Sequence, residues 1–149
     1  MSYQSQQANM RRLAELLRHD LSYVWGERES GPNGNKKTFL NVGKTFLRAL
    51  GKDLGLREVK VTANAGGIAV SGECCLSGMW ENSGLYICIR QPCSMGENVL
   101  LYRTIRNSRD YRGGYNNYVS RRELARIGYA ELRNRLLAQR KVVSYERAA

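Results

Sequence analysis

The stretch "GLYICIRQPCSMGENVLLYRTIRN" (residues 84–107) decides the fold class. Leu85, Ile87 and Ile89 alternate with Tyr86, Cys88 and Arg90. After the turn "PCSMGE", Val99, Leu101, Arg103 and Ile105 alternate with Leu100, Tyr102, Thr104 and Arg106. A period of two is the mark of a strand, and a short turn between two such runs implies antiparallel neighbours. Working toward the N-terminus, "GIAVSGECCLS" (67–77) puts Ile68, Val70, Cys74 and Leu76 on one face, and "REVKVTA" (57–63) alternates Val59 and Val61 with polar neighbours. Gly66-Gly67 suits a tight hairpin between these two runs. The expectation is a four-stranded antiparallel sheet within residues 57–107.

Outside this region the period lengthens to three and four. Met10, Leu13, Leu17, Leu21 and Val24 form one apolar stripe, which predicts a helix over 6–25. A Gly/Pro/Asn loop, "GERESGPNGNKK" (26–37), separates it from a second helix over 38–53, with Phe39, Val42, Phe46 and Leu50 inward and Gly55 as the stop. Downstream, Ser120 and Glu123 form the capping box S-x-x-E and open a helix over 120–141, with Ala125, Leu132 and Leu136 along its core edge. Residues 108–119 between sheet and helix read as a loop. The fold expected is α+β, a single domain over 1–149 with two N-terminal helices, the sheet and one C-terminal helix. From the second helix onward this order resembles the double-stranded-RNA-binding domain in topology. Four strands stand where that family has three, and "SRRELAR" (120–126) stands in place of its lysine-rich helix start, so the resemblance carries no contact residues with it.

The chain of 149 residues is 42% hydrophobic, ordinary for a folded domain, and carries a net charge of +11. That charge is uneven: +5 over residues 1–60, −2 over 61–100 and +8 over 101–149. Lys141 is the only lysine of the last third; the other cations there are arginines, the better residue for bidentate phosphate contacts and for stacking on rings. A basic balance of this size argues for an anionic partner, DNA or RNA first. The polar N-terminus, "MSYQSQQANMRRLAELL", has no signal-peptide core, and no apolar run approaches the roughly 20 residues of a membrane span, so the expected location is the cytoplasm.

The basic third opens on "LYRTIRNSRDYRGGYNNYVSRRELAR" (101–126). Arg103, Arg106, Arg109 and Arg112 are expected to hold phosphates, Tyr111 and Tyr115 to stack on bases or sugars, and Asn116 to supply an amide. On the last helix, Arg122, Arg126, Arg133 and Arg140 fall within roughly 40° of one line, with Tyr129 beside it. Lys44, Arg48 and Lys52 repeat at four and form an auxiliary ridge on the second helix. The reading is a non-enzymatic nucleic-acid-binding protein, in which no cofactor or metal is expected. Two alternatives stand beside it: a small phage- or plasmid-type accessory protein that binds and inhibits or regulates a host protein of nucleic-acid metabolism, and a nucleotide-binding or nucleic-acid-processing enzyme using Glu73 or Asp110. Catalytic signatures are weak. "VGKTF" (42–46) ends like a P-loop, but Thr38 stands where the motif needs glycine, and the triplet lies inside a helical pattern, where Gly43 is better suited to close packing. Cys74, Cys75, Cys88 and Cys93 lack the paired C-x-x-C spacing of a zinc site and are expected to be reduced and metal-free.

Overall fold

Ser2 opens the first helix by accepting the Ser5 amide on its side chain, and α1 runs Tyr3–Leu16. In this computed structural model, which describes residues 2–19, 21, 35–67, 70–92, 96–110 and 113–141, α1 is followed by α2 (Asn35–Asp53) and five strands. These are β1 (Arg57–Asn64), β2 (Glu73–Met79), β3 (Gly84–Arg90), β4 (Asn98–Ile105) and β5 (Asn117–Ser120). Two short helices, α3 (Arg121–Arg126) and α4 (Tyr129–Leu137), and a 3-10 turn over Ala138–Lys141 complete the described elements. The structure is therefore α+β, with one antiparallel sheet in the order β1-β2-β3-β4-β5. Expectations for Asp20, 22–34, Ile68, Cys93, Tyr111 and Arg112 fall outside the described residues. No described helix is long and apolar enough to cross a membrane.

Four expectations are corrected. The first helix, expected over 6–25, stops at Leu16 with Leu17 as its C-cap, so the apolar stripe outlasts the helix. The sheet has a fifth strand in place of the last residues of the loop expected over 108–119: Asn117–Ser120 pairs with β4, Tyr118 opposite Leu101 and Val119 opposite Leu100. A four-residue strand entered through Asn116 and Asn117 has too little alternation to show as a period. The hairpin between the first two strands is not tight, because β1 ends at Asn64 and β2 starts only at Glu73. The last helix is broken: Ile127 and Gly128 have extended backbones with ψ of 151° and 154°. A β-branched residue followed by glycine is a poor helix continuation. The carbonyls of Leu124 and Arg126, left open at the end of α3, accept the Arg11 guanidinium of α1 at 3.0 and 3.1 Å. The break turns Leu124, not Ala125, into the core, and buries Tyr129 rather than leaving it beside a basic line.

The helices cover one face of the sheet. α2 lies over β1 and β2, and α1 lies between α2 and α3. Val61, Leu76, Ile87, Tyr102 and Val119 point to this layer from successive strands. The expected stripes meet them there: Met10 and Leu13 from α1, Leu17 and Leu21 from the segment that follows it, and Phe39, Phe46 and Leu50 from α2. Each such leucine or phenylalanine contributes about 1.5–3 kcal/mol on burial. Gly43 lets α2 approach β2, since a Cβ there would stand 2.5 Å from Cys74 Sγ. Buried polar groups are satisfied: Gln6 donates to Phe46 O and to Tyr129 Oη, Tyr129 Oη donates to Asp53, and Lys36 reaches Gly67 O at 2.9 Å.

The register defines two ends of the sheet. Arg57 pairs with Met79, Met79 with Gly84 and Gly84 with Ile105, so these four residues mark one end. The turn 80–83 and the loop that begins at Arg106 leave from that end. Gln139 returns to it, accepting the Thr104 hydroxyl at 2.8 Å. The start of α3 lies at the opposite end, where the Arg121 amide donates to Glu97 O.

Candidate functional site

The arginines of the run 101–126 have separate fates. Arg103 lies on the sheet face turned away from the helices, where the loop covers it, and is 7% exposed. Its guanidinium donates to Gly113 O and Asp110 O, both at 2.8 Å, and lies 5.2 Å from the Tyr86 ring centroid. Nη1 and Nη2 are thus directed at the loop's own carbonyls, a structural engagement at a residue expected to hold phosphate. Asp110, a candidate enzymatic carboxylate by sequence, is a second brace. It accepts the Gly113 amide at 2.7 Å and the Arg106 amide at 3.0 Å, with Arg106 Nε at 3.5 Å. Gly114, at φ 75° and with Thr104 O standing closer than any Cβ would tolerate, lets the loop close down on β4.

What this brace holds outward is the candidate interface. Arg106, Arg109, Tyr115 and Asn116 are exposed, Tyr115 at 57%. At the same end of the sheet stand Arg57, at the start of β1, and Arg140, in the 3-10 turn. Both line an open cleft of about 490 Å³ together with Gly55, Trp80, Glu81, Asn82 and Ser83. Lys52, the last basic residue of α2, and Lys141 are exposed nearby in the chain, and Glu58 and Glu81 are the exposed acids of this region. Proximity in sequence suggests that the loop and the start of the last helix act together. The register separates them by the length of β5 and puts the loop at the same end of the sheet as Arg57 and Arg140.

The remaining expected residues are scattered. Arg122 and Arg126 are exposed on α3 at the far side, and Arg133 donates from α4 to Asp53 O at 3.3 Å. Because of the helix break, Arg122, Arg126, Arg133 and Arg140 do not form one line. Lys44, Arg48 and Lys52 do form a ridge along α2, with Arg48 and Lys52 exposed and Lys44 half-buried. Arg135 is engaged by Glu123 at 2.9 Å and Glu131 at 3.3 Å.

The sheet face turned away from the helices carries a second group of polar residues. Thr62, Cys75, Cys88, Leu101 and Tyr118 form one cross-strand row there, with Glu73 beside it. Tyr86 Oη donates to Cys75 Sγ at 3.6 Å, and Cys88 Sγ lies 3.5 Å from Glu73 Oε2. Hydrogen bonds from the Cys88 thiol, then from the Tyr86 and Thr62 hydroxyls, pull the Cys75 pKa below the ordinary thiol value against the effect of burial. Cys88 moves up, through that same contact with Cys75 and through burial. Cys74 faces the helices, and burial pushes its thiol up to about 12.

Comparison with known proteins returned no relative: no family model, no curated protein and no solved structure matches the chain.

Proposed function

We propose that this protein binds nucleic acid through its phosphate backbone, without catalysing a reaction, using the basic end of the sheet. The observation that supports this reading is convergence. Arg57, Arg106, Arg109 and Arg140 come from three segments far apart in the chain, yet all four are exposed at one end of the sheet, two of them lining an open cleft. Arginine forks spaced around a cleft suit a ligand that presents repeated phosphates. Tyr115 and Asn116, exposed on the same loop, supply a stacking ring and an amide. The Arg103–Asp110 brace fits this role, since a loop already fixed by internal hydrogen bonds loses less entropy on binding. Lys44, Arg48 and Lys52 extend the positive surface along α2.

The test is titration with single- and double-stranded DNA and RNA at several salt concentrations. Binding should weaken steeply with salt. Arg106→Ala with Arg109→Ala should lower the slope of log affinity against log salt by roughly 0.7–0.9 for each phosphate no longer neutralised. Arg57→Ala with Arg140→Ala should do the same, whereas Arg122→Ala with Arg126→Ala should change little. Tyr115→Ala should weaken single-strand binding by about 1–3 kcal/mol. A parent chain that binds no nucleic acid at low salt would refute the reading and turn attention to an acidic protein partner.

A further inference from the structure

Cys75 on β2 stands directly opposite Cys88 on β3, and Glu73 lies two residues before Cys75, so all three share the sheet face turned away from the helices. One ligand atom from each lies within 4.8 Å of the other two. Cys88 Sγ and Glu73 Oε2 are 3.5 Å apart. Zinc–sulfur bonds of about 2.3 Å and zinc–oxygen bonds of about 2.0–2.2 Å, set at tetrahedral angles, need donor separations of roughly 3.5–3.8 Å. The donors are thus near the spacing that a tetrahedral ion would impose, and small rotamer changes close the remainder. Cys88 is 6% exposed, while Glu73 and Cys75 are half-buried, so the group opens to solvent on one side.

We propose that Glu73, Cys75 and Cys88 form a binding site for a zinc-class divalent ion. Two sulfurs and one carboxylate exclude the hard cations, which take oxygen donors, and select zinc and its chemical neighbours. Three protein donors leave a fourth position for water or an exogenous ligand. Tyr86 Oη, 3.6 Å from Cys75 Sγ, stands where it orients a ligand from behind. Cys74, adjacent in sequence, is excluded by the pleat: it points into the core and its thiol faces Leu40 O at 3.6 Å. The site is distinct from the basic end and stands or falls independently of nucleic-acid binding.

The full chain, reduced and stripped with chelator, would be titrated with Co²⁺ and then with Zn²⁺. The expected result is one Co²⁺ per chain, with tetrahedral ligand-field bands and a thiolate-to-cobalt charge-transfer band, both erased when Zn²⁺ displaces it. Cys88→Ser should abolish the charge-transfer band or halve it, and Glu73→Gln should weaken binding while leaving the band in place. Tyr86→Phe should weaken binding by about tenfold. A measurement on the unmutated chain guards against variants that fail to fold: Zn²⁺ should shield Cys75 and Cys88 from alkylation, as mapped by peptide mass. Substoichiometric Co²⁺ binding, a spectrum without thiolate character, or equal alkylation of the two cysteines with and without Zn²⁺ would overturn the proposal. So would a Cys75–Cys88 disulfide that forms in the presence of stoichiometric Zn²⁺.

Discussion

Gly43 and Arg103 show how much a single side chain decides here. Gly43 sits in mid-helix, where alanine would ordinarily gain about 1 kcal/mol in propensity. Its Cβ would meet Cys74 Sγ at 2.5 Å and Cys74 Cβ at 3.1 Å, both in the core. Overpacking of this kind costs about 1–3 kcal/mol, so Gly43→Ala is expected to lower stability in urea titrations. Combining it with Cys74→Ala should cost less than the two single changes added together. Arg103→Met is expected to cost about 2–4 kcal/mol, because two loop carbonyls lose a charged donor inside the protein. Arg109→Ala, at an exposed position, should fall within about 0.5 kcal/mol of the parent. The close approach at Gly43 is legible in the sequence, as a glycine inside an apolar helical stripe. The fate of Arg103 is not. Strand alternation assigns a residue to a face, but it carries no information about which later segment folds down over that face. The same limit hides the pairing of Cys75 with Cys88. Metal-ligand spacing is sought along the chain, whereas a sheet brings donors together across strands.

Among the helices and strands, local chemistry is plain in the sequence and lengths are not. The box at Ser120 and Glu123 forms as its residues demand: Ser120 accepts the Glu123 amide at 3.0 Å, and Glu123 accepts the Ser120 amide at 3.2 Å. Ser120→Ala is expected to cost about 1 kcal/mol. The Arg135 guanidinium and the Ser120 amide hold the Glu123 carboxyl below the usual carboxylate range. A carboxyl whose folded pKa is depressed stabilises the protein above its unfolded pKa of about 4.3, and the gain is lost as pH falls through the folded value. Glu123→Gln should therefore destabilise at neutral pH, by less than about 1 kcal/mol for so exposed a pair, and the deficit should close in urea titrations between about pH 5 and pH 3. The break between α3 and α4 is signalled by Ile127-Gly128 and masked by a capping box followed by helix formers on both sides. β5 is masked by its own brevity.

For the chain in its entirety, the charge partition is evident from composition, and its arrangement is not. Which arginines meet depends on which ends of the strands coincide, and register is set by the sheet as a unit. A net charge of +11 repels itself in the compact state. Melting temperature is therefore expected to rise with added salt while affinity for nucleic acid falls, opposite trends that a thermal-shift series and a binding series in the same buffers would reveal. The hydrogen bonds that close the molecule also bear on its synthesis. Tyr3 Oη accepts the Ala130 amide, Gln7 Oε1 accepts the Tyr129 amide, and Arg11 holds the carbonyls that end α3. These partners are more than 110 residues apart, which at about 5–20 residues per second is on the order of ten seconds of translation. The side of α1 that meets α2 is covered early, but the side that meets α3 and α4 stays open until those helices are made, and during that wait it is open to chaperones.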